Sequence, residues 1–374
     1  MRPPGVALDN WQQAPANRWS FQHIDELMTT TPLSRGNGAL LELADGEPVS
    51  VPGLDDFLES TYTDGFLVLR GREVVVERYL NGLTPSTRHL LMSVSKSLCS
   101  AVFGQYVGSG SIDREALVAN YLPELADSAY GDATVQQVLD MTVAVQFDET
   151  YFDPASEVQT QDRVAGWRSA RPGDPTDSYE FLATLRKTGE HGLTFSYCSA
   201  NTDVLAWILE RVSGHPYAEL LSEGLWSRIG AEHDAFVTID KSGFPMANAG
   251  VCGTLRDLAR FGRVVLEGGT GPDGSAVIPS DWIADVRRGG DSAAAEESMR
   301  GVHANGSYRN QFWVSGDGSG SFYGVGIHGQ YVWLNPVADV VVAKLSSLPE
   351  ADSPDDWAEH MAFFDRLCEV VAGD

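Results

Sequence analysis

The clearest pattern along the chain is a pair of apolar runs separated by a short turn. Residues 66–70 (Phe-Leu-Val-Leu-Arg) and 73–79 (Glu-Val-Val-Val-Glu-Arg-Tyr) lie on either side of a turn that begins at Gly71. Apolar and β-branched residues on both sides of a glycine turn are typical of a β-hairpin. The pattern predicts two strands here, followed by an apolar helix that begins at Ser93 and ends at about Gly108.

The rest of the chain alternates between helical spacing and loops before strands return. Between residues 113 and 245 apolar positions recur mostly with helical spacing. The Ala- and Glu-rich stretch 291–299 is predicted to be a surface loop. Two late strands are predicted at 329–334 and 340–345, before a last amphipathic helix.

Strands at both ends of the chain with helices between them predict an α/β (α+β) fold. One antiparallel sheet would be built from both terminal parts and flanked by helices. We predict that residues 1–112 and 246–374 form an α/β domain around this sheet. Residues 113–245 are predicted to form an inserted, mostly helical domain that overhangs the active site.

Composition narrows the classes of function. The chain has 374 residues and 43% apolar residues, enough to bury a full core. Its net charge of −26 argues against nucleic acid and anionic membrane surfaces as partners, because both select basic patches. The acidic surface fits solubility, adaptation to high salt or attraction of cationic substrates, and composition does not separate these.

Location and cofactors are predicted from what the sequence lacks. It has no signal-peptide pattern and no apolar run near the ~18 residues of a membrane helix. Four scattered cysteines without a Cys-x-x-Cys pair are predicted to be reduced thiols. We expect a soluble cytoplasmic protein without metal or cofactor.

Ser93-Val94-Ser95-Lys96 is the candidate for chemistry. Residues three apart lie on one face of a helix, so the Ser93 hydroxyl and the Lys96 amine would meet. Serine alone is a weak nucleophile, and a neutral lysine can take its proton. The flanking residues are apolar, which favours a buried lysine over the alternative of an exposed helix start.

A Ser-x-x-Lys helix after a hairpin, Tyr197-Cys198-Ser199 and a late glycine-rich strand resemble the penicillin-recognising serine hydrolases. That family includes class C β-lactamases, penicillin-binding proteins and related esterases. The resemblance covers the chain from about Trp11 to the final helix and implies a β-lactamase/transpeptidase-like fold. Within that family the chain resembles the nylon-oligomer hydrolase group, through the motifs at 91–99, 153–160, 197–207, 327–330 and 344–347.

Two departures from the wider family bear on the substrate. The second motif usually ends in Asn but here ends in Ser199. The third motif usually contains a lysine that holds the substrate's carboxylate, and the stretch 324–330 contains none. The missing lysine weakens the prediction of a penicillin or a D-Ala-D-Ala peptide as substrate.

The resemblance implies a role for each motif residue. Ser93 would be the nucleophile, Lys96 its base and Tyr197 the proton relay to the leaving group. The backbone N–H groups of Ser93 and Ile327 would form the oxyanion hole. His328 is expected to be structural, since the lysine already supplies the base.

Four further residues match substrate-contacting positions of the nylon-oligomer hydrolase group: Tyr151, Asp162, Trp167 and Asn248. Tyr151 would hydrogen-bond the scissile nitrogen, and Asp162 would pair with an ammonium group at the amino end of the substrate. The alternative for each of the four is an ordinary loop residue.

The Ser93–Lys96 pair and the resemblance together imply a serine hydrolase of linear amides and short-chain esters that acts through an acyl-Ser93 intermediate. Its expected partner is a small-molecule amide or ester, and a homodimer is left open. The alternatives are a β-lactamase or D-amino-acid peptidase of the same fold, or a catalytically silent protein that binds a ligand.

Overall fold

The structure is a computed structural model that describes residues 2–299 and 302–373. Within this part of the chain, twelve strands form two sheets. The strands are β1 (Thr30–Leu33), β2 (Ala44–Asp45), β3 (Thr63–Arg70), β4 (Glu73–Tyr79), β5 (His89–Leu90), β6 (Ala235–Thr238), β7 (Val251–Gly253), β8 (Ser307–Arg309), β9 (Phe312–Val314), β10 (Phe322–Gly326), β11 (Gln330–Asn335) and β12 (Val340–Ser346).

Thirteen α-helices are found in the same part of the chain. They are α1 (Asn17–Ser20), α2 (Leu54–Ser60), α3 (Val94–Gly108), α4 (Val118–Tyr121), α5 (Val135–Leu139), α6 (Glu157–Val164), α7 (Ser178–Thr184), α8 (Ser199–Ser213), α9 (Tyr217–Leu221), α10 (Leu255–Leu266), α11 (Ser280–Arg288), α12 (Ser292–Met299) and α13 (Pro354–Ala372). None of these described helices has the length and apolar character needed to cross a membrane.

The large sheet joins the two ends of the chain, as predicted. Its strand order is β2-β4-β3-β12-β11-β10-β9-β8, and every pair is antiparallel except β2 with β4. The junction is the β3–β12 pair, where Val68 lies opposite Val342. The predicted hairpin is confirmed as β3 and β4, and Gly71 has the positive φ of +59° that such a turn favours.

The small sheet has the order β1-β6-β7-β5 and was not predicted. Its strands are two to four residues long, too short to give a periodic pattern. β6 lies inside the segment predicted as an inserted domain, yet it pairs with strands from outside that segment. The division into domains at 113–245 stays a prediction.

The prediction of a loop at 291–299 is wrong, because most of this stretch forms α12. The Asp291 carboxylate accepts the backbone N–H of Ala293 at 2.9 Å and begins the helix. Ala295 and Met299 are one turn apart and both buried. A short helix with only two buried positions carries too little periodicity to be distinguished from a loop.

Helix α3 lies in the centre of the molecule, with every residue of Val94–Gly104 buried. It packs against α8 and against β10 and β11 of the large sheet. Gly324 on β10 allows this contact, because a Cβ atom there would lie 2.7 Å from Ser97 Oγ. The first turn of α3 is therefore held between a sheet and a second helix.

Candidate active site

Ser93 lies at the sharp turn between β5 and α3. Met92 before it has a φ of +47°, a left-handed conformation that is unusual for a side chain of this size. The Ser93 side chain makes no capping hydrogen bond with α3. Ser93 is 8% exposed and lines a cavity of about 290 Å³. The hydroxyl is therefore available to a bound molecule.

Lys96 lies one turn further along α3 and faces Ser93. Its Nζ atom is 2.8 Å from Ser93 Oγ, 3.1 Å from Ser199 Oγ and 3.1 Å from the Asn248 carbonyl oxygen. Burial lowers the pKa of the amine to about 8, although nearby carboxylates act in the opposite direction. A lysine with this pKa has a neutral fraction near pH 7 that can accept a proton from Ser93.

Tyr197 lies just before α8, with its ring against the Lys96 amine. Its ring centroid is 5.0 Å from Lys96 Nζ, and the ring stacks on Trp313 at 5.7 Å. Burial raises the pKa of the phenol, while contact with Ser93 lowers it. The hydroxyl stays protonated and lines the cavity, where it can donate a hydrogen bond.

Ser199 and Glu149 extend this network beyond the predicted residues. Glu149 Oε1 accepts the Ser199 hydroxyl at 2.5 Å, and Oε2 accepts the Ser199 backbone N–H at 3.1 Å. Ser199 thus connects Glu149 to Lys96. Its place in the Tyr-x-Ser motif was a signal for this, whereas nothing in the sequence around Glu149 indicated its role.

Asp203, one turn after Ser199 on α8, supports Asn248. Its carboxylate accepts the Asn248 backbone N–H at 3.1 Å and the side-chain amide at 2.9 Å. Burial raises the pKa of Asp203 to about 7. Asn248 thus presents its backbone carbonyl oxygen to Lys96, while its side-chain amide is hydrogen-bonded to Asp203.

The end of β10 lies against Ser93 at the place predicted for the oxyanion hole. A Cβ atom on Gly326 would lie 2.9 Å from the Ser93 backbone nitrogen, so only glycine allows this approach. Ile327 follows it and lines the cavity.

His328, the next residue, is buried and has a φ of +62°. Its Nδ1 atom is 2.7 Å from the Leu348 carbonyl oxygen, and burial lowers the pKa of the imidazole to about 4.

The other predicted substrate residues divide into two groups. Tyr151 lines the cavity and donates its hydroxyl to Glu149 at 3.2 Å. Asp162 and Trp167 are not among the residues that line it. Asp162 is paired with Arg168 at 3.1 Å, and the Trp167 indole donates to Thr238 at 2.9 Å.

The cavity wall is aromatic and acidic. Its aromatic residues besides Tyr151 and Tyr197 are Phe195, Trp313, Tyr331 and Trp357, and its acidic residues are Glu149, Glu350, Asp352 and Asp356. None of the described lining residues is a lysine or arginine. Within the described chain, no group of three His, Cys, Asp or Glu side chains is arranged to hold a metal ion.

This fold, with a buried serine–lysine pair beside its sheet, is that of serine hydrolases related to β-lactamases. Residues 55–363 match the family model described as Beta-lactamase. The chain therefore belongs to the β-lactamase family and is a hydrolase of that fold. The resemblance inferred from its motifs is confirmed.

Individual members of this family are similar to the chain over nearly its whole length. The 6-aminohexanoate-dimer hydrolase of Paenarthrobacter ureafaciens is 49% identical over 362 residues, 94% of this chain and 92% of the relative. A solved Bacillus anthracis structure, provisionally named 6-aminohexanoate-dimer hydrolase, has a TM-score of 0.84 at 26% identity, covering 98% of this chain and 96% of that one. A family VIII carboxylesterase structure shares the fold, with a TM-score of 0.63, 17% identity and coverage of 87% and 98%.

Proposed function

We propose that this protein is a serine hydrolase of linear amides like the 6-aminohexanoate dimer, and of short-chain esters. The observation that carries the proposal is the 2.8 Å contact between Lys96 Nζ and Ser93 Oγ inside a buried network. The relative from Paenarthrobacter ureafaciens, named for the dimer substrate, supports the choice of amide. Cytoplasmic location and a homodimer stay predictions.

Acylation uses the neutral form of Lys96. Lys96 Nζ takes the proton of the Ser93 hydroxyl, and Ser93 Oγ attacks the substrate's carbonyl carbon. The negative charge on the carbonyl oxygen is stabilised by the backbone N–H groups of Ser93 and Ile327. The close approach of Gly326 to Ser93 supports this assignment of the oxyanion hole.

Collapse of the tetrahedral intermediate breaks the C–N bond and requires a proton on the leaving amine. Tyr197 donates its hydroxyl proton to that nitrogen and recovers one from Lys96. Water then attacks the acyl-Ser93 ester, with the same groups carrying its proton in the reverse direction. The raised pKa of Tyr197 supports a donor that stays protonated until the amine departs.

The charge of the cavity favours a substrate with an ammonium end over one with a carboxylate beside the reacting bond. Four acidic side chains line the wall, and the described lining residues include no lysine or arginine. A penicillin would bring its carboxylate into this negative field without a cationic partner. A linear dimer of 6-aminohexanoate brings an ammonium group at one end, and its own carboxylate is separated from the amide nitrogen by a whole alkyl chain.

The proposal is tested by assaying the purified protein on the 6-aminohexanoate dimer, a p-nitrophenyl ester and a penicillin. We expect hydrolysis of the first two and no turnover of the third. Penicillin turnover faster than dimer hydrolysis would favour the β-lactamase alternative. No hydrolysis of any of them, with no covalent adduct on Ser93, would favour the silent binder.

Tyr197→Phe is expected to slow amide hydrolysis much more than hydrolysis of p-nitrophenyl esters. An amine must be protonated as it leaves, whereas p-nitrophenolate leaves without a proton. The measurement is kcat/KM for both substrates on the variant and the wild type. We expect an additional loss of about 100-fold for the amide. Equal losses would leave Tyr197 as a positioning residue and overturn its role as proton relay.

Asp162→Asn tests the proposed partner of the substrate's ammonium group. A carboxylate can accept from a second donor besides Arg168, and losing one charge-assisted contact of ~1.5–3 kcal/mol reduces kcat/KM by roughly 10–100-fold. We expect this loss for amino-terminated amides and none for uncharged esters. The control is Arg168→Gln, which breaks the same ion pair but leaves the carboxylate. A parallel loss on amides and esters in both variants would make Asp162 structural.

A further inference from the structure

Glu149 is a carboxylate that the mechanism above does not use. Its side chain lines the cavity and is hydrogen-bonded to three donors. These are the Ser199 hydroxyl at 2.5 Å, the Ser199 backbone N–H at 3.1 Å and the Tyr151 hydroxyl at 3.2 Å. Burial raises the pKa of Glu149, and the nearby Lys96 ammonium opposes that shift. A carboxylate this well satisfied in a buried place indicates a specific use of its charge.

The contacts form a continuous line from Glu149 to the nucleophile. Glu149 accepts a hydrogen bond from the Ser199 hydroxyl. The Ser199 Oγ atom lies 3.1 Å from Lys96 Nζ, and Nζ lies 2.8 Å from Ser93 Oγ. Since the Ser199 hydroxyl donates to Glu149, its oxygen lone pairs are free to accept from Lys96. The hydrogen bond from Ser199 to Glu149 therefore leaves Ser199 able to hold the amine of Lys96 in place.

We propose that Glu149 is a positioning residue that orients Ser199 and Lys96 and stabilises the ammonium ion formed when Lys96 takes the Ser93 proton. The inference rests on the proposed function. The physical logic is that of the buried carboxylate in a serine–histidine–aspartate triad, which stabilises the cation formed on the base without itself taking a proton. In this protein the Ser199 hydroxyl lies between the carboxylate of Glu149 and the base, Lys96.

Other groups besides Glu149 face Lys96 and also influence the pKa of its amine. Asp203 and Cys198 face it from α8 and its N-cap, Cys99 from its own helix, and the Tyr197 ring from the preceding loop. Among these and Glu149, the carboxylates of Glu149 and Asp203 favour the charged amine. Asp203 also holds Asn248, whose carbonyl oxygen contacts Lys96, so a change at Asp203 would alter two influences on the amine at once.

The test is the pH dependence of kcat/KM for an uncharged p-nitrophenyl ester, whose acid limb reports deprotonation of the base in the free enzyme. Glu149→Gln keeps an oxygen acceptor for Ser199 and removes the charge. Lys96 then loses a neighbouring anion, so we expect the acid limb to move to lower pH by about one unit. The plateau should fall by about 10- to 100-fold, because the ammonium formed in the transition state is less stable.

Three variants accompany this measurement. Glu149→Asp keeps the charge, so the acid limb of its pH profile should lie closer to that of the wild type than the limb of Glu149→Gln does. Ser199→Ala removes the hydroxyl between Glu149 and Lys96 but keeps the carboxylate. It should therefore lower the plateau of kcat/KM while shifting the acid limb less than Glu149→Gln does. Glu210→Gln is the matched control: this partly buried glutamate on α8 accepts from the Tyr179 hydroxyl at 2.7 Å and the Tyr217 N–H at 2.9 Å, away from the cavity.

A limb that stays at the wild-type pH in Glu149→Gln, or moves to higher pH, would overturn the inference even if activity fell. Labelling with a fluorophosphonate keeps this result separate from the proposed function. A Ser93 adduct with an unmoved limb means that the role of Glu149 is wrong and the hydrolase proposal stands. Absence of any Ser93 adduct in the wild type would instead remove the proposed function itself.

Discussion

Replacing Ser93 with alanine is expected to abolish turnover of both amides and esters. The change removes the atom that forms the acyl intermediate, and loss of a nucleophile typically reduces kcat by several orders of magnitude, about 10⁴- to 10⁶-fold. The fold should be retained, because the Ser93 side chain does not cap α3 and Lys96 keeps two other acceptors.

The measurement is ester hydrolysis above the rate of the buffer alone, with thermal unfolding as the check on folding. Hydrolysis by a folded Ser93→Ala protein at more than a small fraction of the wild-type rate would show that Ser93 is not the nucleophile. It would mean that another nucleophile acts in the cavity.

Lys96→Ala is expected to be nearly as damaging. Ser93 loses its base, and residues that act as one unit each cost almost as much as the whole unit, about 10³-fold or more in kcat. Both kcat and the rate of Ser93 labelling by a fluorophosphonate should fall together. A shallower loss, with the acid limb of the pH profile unchanged, would show that another group is the base.

Lys344 provides a matched control for the removal of a buried amine. It is also fully buried, its pKa is lowered to about 7 by burial, and it donates to Ser346 on β12, away from the cavity. Lys344→Met should therefore keep the hydrolytic activity, whatever it does to stability. Loss of activity in both variants with equal loss of thermal stability would mean that Lys96 acts through folding alone.

The parts of the site that the sequence predicted best are those set by local geometry. Ser93 and Lys96 meet because they are three residues apart at the start of one helix. The β3–β4 hairpin follows in the same way from two apolar runs around one glycine turn. In both cases the partners are near neighbours in the chain, so spacing alone was enough.

The parts that depend on tertiary packing needed the structure or the family resemblance. Glu149 reaches Ser199 across 50 residues, and Lys96 reaches the Asn248 carbonyl across 152, distances over which no periodicity carries information. For Asp162, the resemblance implied an ammonium group of the substrate as its partner. The structure pairs it with Arg168, six residues away, and its role toward a substrate stays a prediction.

Labelling with a mechanism-based reagent identifies the nucleophile of this protein directly. The intact protein is treated with a fluorophosphonate, which forms a phosphonyl-serine that turnover does not release, then digested and examined by mass spectrometry, with Ser93→Ala beside it. We expect one adduct, on Ser93, that is absent from the variant and coincides with loss of hydrolysis. An adduct on another residue, or full hydrolysis with no adduct on Ser93, would contradict it.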